Sequence, residues 1–175
     1  LKGVPLIRVL TFNTWLVRTP LGIDLADDVD VRADRIPTHI RNSGADIVFL
    51  QECWSWELRK RLRESLHRLG YSYSAESSSV EDTSIHDRRV RGFSLTLAVS
   101  FVRKSMGNGL MIFSKFPLGN RITTISFSQY TRQDELFVTK GAIHTQCHIP
   151  ELGTVDIYNS HLGAVTFNER TGEFD

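Results

Sequence analysis

Cysteine is scarce. Cys53 and Cys147 are the only two in 175 residues, and both lie in apolar neighbourhoods. That pattern favours buried thiols over a disulfide, a soft-metal site or a nucleophile, and it leaves the redox compartment open. The paired Cys and His ligands of structural zinc are missing as well. Charge of one sign is also lacking: 21 Lys and Arg face 20 Asp and Glu, a formal net charge of +1, so no global field draws the chain onto nucleic acid. A local basic patch stays compatible with that balance. No apolar run approaches bilayer length, and no basic, apolar and cleavable leader precedes the first strand-like run. The expectation is therefore a protein that is soluble or peripheral to a membrane, in a compartment the sequence leaves unknown. The chain begins at Leu1 rather than Met, which leaves room for a removed leader. There is no internal repeat and no low-complexity tract. Gly107-Asn108-Gly109 lacks the Lys-Ser/Thr pair and the following helix of a phosphate-binding P-loop, and reads as a close approach of backbone.

What is present suffices for one domain with a sizeable core: 41% of residues are hydrophobic, including three Trp and ten Phe. Residues 6–12 (LIRVLTF) predict a strand buried on much of both faces, with Asn13 at its C-terminal end. Residues 19–31 hold Pro20, Gly22 and several acids and read as a surface loop. A short helix is expected to begin near Asp34 as its cap, with Pro37 in the first turn and Gly44 at the end. Residues 45–52 (ADIVFLQE) carry the sharpest signal, an apolar core strand closing on the polar pair Gln51-Glu52. Ser55 is placed to cap a helix whose stripe is Leu58, Leu62, Leu66 and Leu69, with Gly70 in the left-handed position beyond it. Strand, helix, strand, helix predicts an α/β architecture.

Residues 77–91 form a polar stretch rich in arginine, read as solvated loop with substrate contact as the alternative. Residues 92–102 return to strand character. Further strands are expected over 110–113, 122–127, 138–147 and 154–159, with Pro150 and Gly153 framing a hairpin between the last two. Strands in succession without helices predict antiparallel pairing there.

Polar groups collect at three strand ends: Asn13, Gln51-Glu52, and Asn159 with His161. A carboxylate at the end of a rigid strand suits Mg²⁺, which prefers hard oxygen donors and keeps several waters while binding a phosphate substrate. The competing reading of Glu52 is a helix-capping or salt-bridged surface acid. His161 can position or protonate a phosphate oxygen, and Asn13 and Asn159 can hold that geometry by hydrogen bonds. A lone histidine after a strand also has a plain structural reading. His39, His67, His86, His144 and His148 show no ligand-like spacing. Ser160-His161 is not a nucleophile pair, because neighbouring strand residues point to opposite faces.

Taken together, residues 11–16 (TFNTWL), 32–36 (RADRI), 46–52 (DIVFLQE), 107–117 (GNGLMIFSKFP), 140–142 (KGA) and 158–162 (YNSHL) resemble the endonuclease/exonuclease/phosphatase superfamily. Within it they are most similar to the magnesium-dependent neutral sphingomyelinases. The resemblance implies an α/β fold, the N-terminal part of a four-layer sandwich with two central mixed sheets and outer helices. On this reading residues 1–175 form a partial domain of that kind, and 77–105 is an extended or inserted region within it. It also implies that Glu52 is the ligand of Mg²⁺, with Mn²⁺ as a substitute, that Asn13 organises the metal site, and that His161 lies beside the scissile phosphate. Asn159 is implied as a supporting hydrogen-bonding residue. An acidic residue, Asp134 or Glu135, paired with Lys140 resembles a further element of the sphingomyelinase site but is left outside the catalytic core.

The implied chemistry is metal-assisted attack of water on a phosphodiester. Later Asp-x-Asn and Asp-His elements of the superfamily have no match here, so the expectation is that these 175 residues alone turn over poorly and need a C-terminal segment or a complementary chain. The expected substrate is sphingomyelin or a related phospholipid, with contact to a membrane surface. The alternatives are a nuclease or phosphatase acting on nucleic acid or soluble phosphoesters, and a non-catalytic module that binds lipid or protein.

Overall fold

The computed structural model describes residues 6–19, 22–76, 107–126, 140–162, 167–168 and 173–174. The strand expected over 92–102, the region 77–105, and both Asp134 and Glu135 lie outside the described residues. Two sheets face each other. The first runs in the order β1 (Val9–Leu16), β2 (Ile47–Cys53), β4 (Met111–Ser114), β3 (Tyr73–Glu76). Its β1 and β2 are parallel, while β4 is antiparallel to both of its neighbours, so the sheet is mixed. The second runs β5 (Thr123–Ser126), β6 (Gly141–Ile149), β7 (Gly153–His161), all antiparallel, as successive strands without helices predict. A short pair, β8 (Phe167–Asn168) and β9 (Glu173–Phe174), follows.

Alternation on the central strands explains the layering. Val48 and Leu50 of β2, with Met111 and Phe113 of β4, pack with Val29, Ala33, Ile36 and Ile40 of α1 (Val29–Ser43) and with Leu58, Leu62 and Leu66 of α2 (Trp56–Arg68). Ile47 and Ile112 point the other way and join Ala75, Leu110, Ile143, Cys147, Ile149 and Ile157 between the sheets. Both faces of β2 and β4 are therefore covered, which is why their sequences read as unbroken apolar runs. Both cysteines are free and buried, and burial pushes the Cys53 thiol up to about 12, which keeps it protonated and inert.

Helix α2 follows its local signals: the Ser55 hydroxyl accepts from the Leu58 N–H, and Gly70 takes φ +93° beyond the end. Helix α1 departs from expectation. It starts at Val29, not near Asp34, so Pro37 sits mid-helix among its buried residues rather than in the first turn. A proline there removes the bond to the Ala33 carbonyl. The stripe Val29, Ala33, Ile36, Pro37 and Ile40 is buried against the sheet, and that burial offsets the loss. Strand β1 is also displaced, so Asn13 lies within it rather than after it.

Asp46, just before β2, ties three segments together. Its carboxylate accepts from the Arg8 N–H at 3.0 Å and from Lys115 Nζ at 3.1 Å. Burial alone would raise this carboxyl, but the Arg8 N–H and Lys115 outweigh it and hold it below the usual range. A lowered folded pKa contributes stability that is present above the unfolded value, about 3.9, and is lost as pH falls through the folded one. Asp46→Asn is accordingly expected to cost about 1–2 kcal/mol near neutrality and to leave a flatter acid limb than wild type, as denaturant melts between pH 6 and 2 will show.

Candidate active site

Glu52 ends up where it does because the β1–β2 ladder is irregular. The parallel register runs to Asn13↔Gln51 and resumes at Leu16↔Cys53, so Thr14 and Trp15 on β1 oppose Glu52 alone on β2. Trp15 and Glu52 both adopt left-handed backbone, φ +49° and +60°. Neither is glycine, so each conformation costs on the order of 1–3 kcal/mol and persists only if its surroundings hold it. The result breaks the alternation of β2. Gln51 and Glu52 are neighbours, yet both reach the second sheet: Gln51 Nε2 donates to Asn159 Oδ1 at 2.7 Å, and Glu52 Oε1 lies 3.4 Å from His161 Nε2. Bulges of this kind commonly re-aim a side chain at a functional site.

His161 is the last residue of β7, two positions beyond Asn159 and on the same face. Its Nε2 lies near both Glu52 Oε1 and Lys140 Nζ, with Lys140 Nζ 3.1 Å from Nε2 and 3.3 Å from Nδ1. Lys140 immediately precedes β6, and its ammonium also lies 5.7 Å from the centre of the Trp54 ring. Trp54 is buried and in turn packs on Gly109, where a Cβ would come within 2.8 Å of the indole. The close approach read from Gly107-Asn108-Gly109 is thus present at Gly109, against the Trp54 indole. The side chains of Glu52 and His161 keep 17% and 16% of their surface exposed, enough for a small ligand to reach both.

The two asparagines sit differently. Asn159 is buried; its Nδ2 donates to the Leu50 and Met111 carbonyls at 2.8 and 2.9 Å, and its Oδ1 accepts from Gln51. These bonds place it in the interface between the sheets, behind the Glu52–His161 pair. Asn13 Oδ1 accepts from the Trp15 N–H at 3.0 Å, which supports the left-handed turn of the bulge. Lys140, which sequence reasoning left outside the core, is the side chain the fold adds to the pair. Its signal was the lysine at the start of the 140–142 motif, without a partner fixed by spacing.

The donor set was tested for a divalent cation. Among the described residues no group of three or more His, Cys, Asp or Glu side chains gathers at ligand distance. One carboxylate of hard oxygens, partly exposed, suits an ion such as Mg²⁺ that takes one or two carboxylates and fills its other positions with water and phosphate oxygens. It does not suit a soft ion needing several protein ligands.

Two sheets packed face to face, with helices on the outside and a polar cluster at one end, define an α/β sandwich. The sequence profile of the Endonuclease/Exonuclease/phosphatase family matches residues 10–153, and the chain belongs to that family. No match emerges among curated proteins. Solved structures share the fold. Sphingomyelinase C from Streptomyces griseocarneus is 20% identical with a TM-score of 0.64, over 90% of this chain and 49% of that one. A beta toxin variant from Staphylococcus aureus with bound magnesium ions is 16% identical with a TM-score of 0.62, over 87% and 48%. An endonuclease/exonuclease/phosphatase from Beutenbergia cavernae is 19% identical with a TM-score of 0.57, over 89% and 38%. At such identities the likeness is one of fold, and this chain spans about half the length of the first two. Among the described residues, no helix is long and apolar enough to cross a membrane.

Proposed function

We propose that this chain carries the metal-ligand and phosphate-facing part of a phosphodiesterase site, with Glu52, His161 and Lys140 as its working side chains. The observation that supports the reading is the convergence on His161 of Glu52 from the facing sheet, at 3.4 Å, and of Lys140 from the segment before β6, at 3.1 Å. Glu52 holds Mg²⁺, or Mn²⁺ in its place. A bound divalent cation supplies Lewis-acid polarisation of the phosphate and stabilises charge that builds on it. The ammonium of Lys140 offers a point charge to a non-bridging phosphate oxygen. His161 donates a hydrogen bond or a proton to a phosphate oxygen, with Glu52 and Lys140 beside the ring fixing its position. Asn13 acts one step back, through the bulge, and Asn159 through the sheet interface.

The substrate class we propose is a phospholipid such as sphingomyelin. Because β1 and β2 are parallel, the segments that follow them emerge at the end of the sheet where Glu52 lies. That end presents Trp15, Ile23, Leu25 and Trp56, each more than half exposed. The arginines Arg18 and Arg61 beside them are engaged in ion pairs, Arg18 with Asp24 and Asp30, and Arg61 with Asp30 and Asp34. An apolar rim with internally paired charges suits a zwitterionic lipid surface better than a polyanion. With the complementary C-terminal segment present, Ile23→Ser combined with Leu25→Ser is expected to lower turnover on phosphatidylcholine–sphingomyelin vesicles about tenfold and to leave a soluble phosphodiester unaffected. Equal losses on both substrates, or faster turnover of nucleic acid by the wild type, would assign the site to soluble phosphoesters instead.

A further inference from the structure

Thr14 is the one residue of the bulge whose side chain crosses to β2 in the described hydrogen bonds. Asn13 supports the Trp15 N–H, and Arg32 supports the other side of the same residue: its Nη2 donates to the Trp15 carbonyl at 2.9 Å, and its guanidinium lies 5.2 Å from the indole. Those contacts hold β1. The buried Thr14 hydroxyl donates across the gap to the Gln51 carbonyl at 2.8 Å. It also lies 3.3 Å from Cys53 Sγ, a weak partner beside a carbonyl.

The Gln51 carbonyl and the Glu52 N–H belong to one rigid peptide plane. Rotation of that plane about the Glu52 N–Cα bond is the φ of Glu52, and φ +60° is what turns the carboxylate toward His161. Left-handed backbone at a glutamate has no intrinsic preference in its favour, so a specific contact must hold the plane. We infer that Thr14 is a positioning residue for Glu52: its hydroxyl stands in for the ladder bond lost at the bulge and fixes the Gln51–Glu52 peptide so that the carboxylate faces the second sheet. What the carboxylate is for rests on the proposed function. How it is aimed does not.

Thr14→Val keeps the shape and removes the hydroxyl, and Thr14→Ser keeps the hydroxyl and drops the methyl. Thr14→Ala against Thr14→Ser repeats the comparison at smaller volume should the valine variant fold poorly. Crystal structures of the variants and Mn²⁺ titration by calorimetry supply two independent readouts. Without the hydroxyl, Glu52 is expected to leave positive φ and separate from His161, and Mn²⁺ affinity to fall by about 10- to 100-fold, with serine restoring both. A Glu52 that keeps φ near +60° in both Val and Ala variants overturns the inference. So does a serine variant as displaced as valine, which would mean that the methyl packing matters and the hydroxyl does not. Glu52→Gln serves as the separate control. If it binds Mn²⁺ like wild type, the metal-ligand reading fails, while the crystal structures still decide the role of Thr14.

Discussion

With a C-terminal segment or complementary chain supplying the later Asp-x-Asn and Asp-His elements, Glu52→Gln is expected to lower Mg²⁺-dependent turnover on the order of 10²–10³-fold while leaving the fold intact. The substitution preserves volume and removes only the anionic oxygen, so its effect isolates charge at one position. Glu52 is not a group the core depends on. It is partly exposed, its described partner is His161, and it belongs to neither hydrophobic cluster. The loss should therefore appear as a higher Mg²⁺ requirement together with reduced turnover at saturating ion, with circular dichroism and thermal melting unchanged within a few degrees. Titrations of turnover against Mg²⁺ and Mn²⁺ check it. An unchanged metal response would leave Glu52 as no more than the ion-pair partner of a histidine.

The second large effect belongs to His161. In the same complemented protein, replacement by Ala removes the donor proposed to face the substrate and is expected to reduce kcat by about 10²–10⁴-fold, the range for loss of a positioned proton donor. Its structural cost should be small, because His161 lies at the end of β7 and the sheet interface behind it is held by Asn159 and Gln51. His161→Gln is the informative companion: it keeps a donor of similar reach but cannot transfer a proton. Partial recovery with Gln points to hydrogen bonding to the phosphate, and none points to proton transfer. A strong shift of melting temperature with turnover per folded molecule unaffected would give His161 a purely structural role.

Much of this arrangement was legible because its signals are local. The Leu58, Leu62, Leu66 stripe behind Ser55 fixes α2 through helical spacing and a cap. The apolar run of β2 and the Pro150 to Gly153 turn between β6 and β7 are equally short-range. What was not legible depends on tertiary context. The acids Asp24, Asp27 and Asp28 look like a solvated loop, and Pro37 looks like a first-turn residue. Those acids are exposed and precede the helix, but α1 already begins at Val29 within the expected loop, and only its packing on the sheet reveals that Val29, Ala33, Ile36, Pro37 and Ile40 form one buried stripe. Strand β3 was not anticipated because its pairing with β4 spans a long stretch of chain. The bulge had no marker either, since no glycine stands at Trp15 or Glu52. Lys140 joins the site through the packing of Trp54 and the end of β7, neither of which its sequence neighbours encode.

The division of the site between two sheets makes the hydrophobic layer between them a calliper. Its jaws are β2, bearing Glu52, and β7, bearing His161. Their opening is set by the thickness of Ile47, Ile112, Ile143 and Ile157, with the Gln51–Asn159 contact as the stop near the tips. Sheets stacked in this way keep a spacing of roughly 10 Å that depends on the volume of the side chains between them. A methyl group gained or lost deep in that layer is thus a change in the gap between Glu52 and His161, where the proposed phosphate would fit, some distance from either side chain. In this architecture substrate tolerance can drift through the core while every polar residue of the site stays the same.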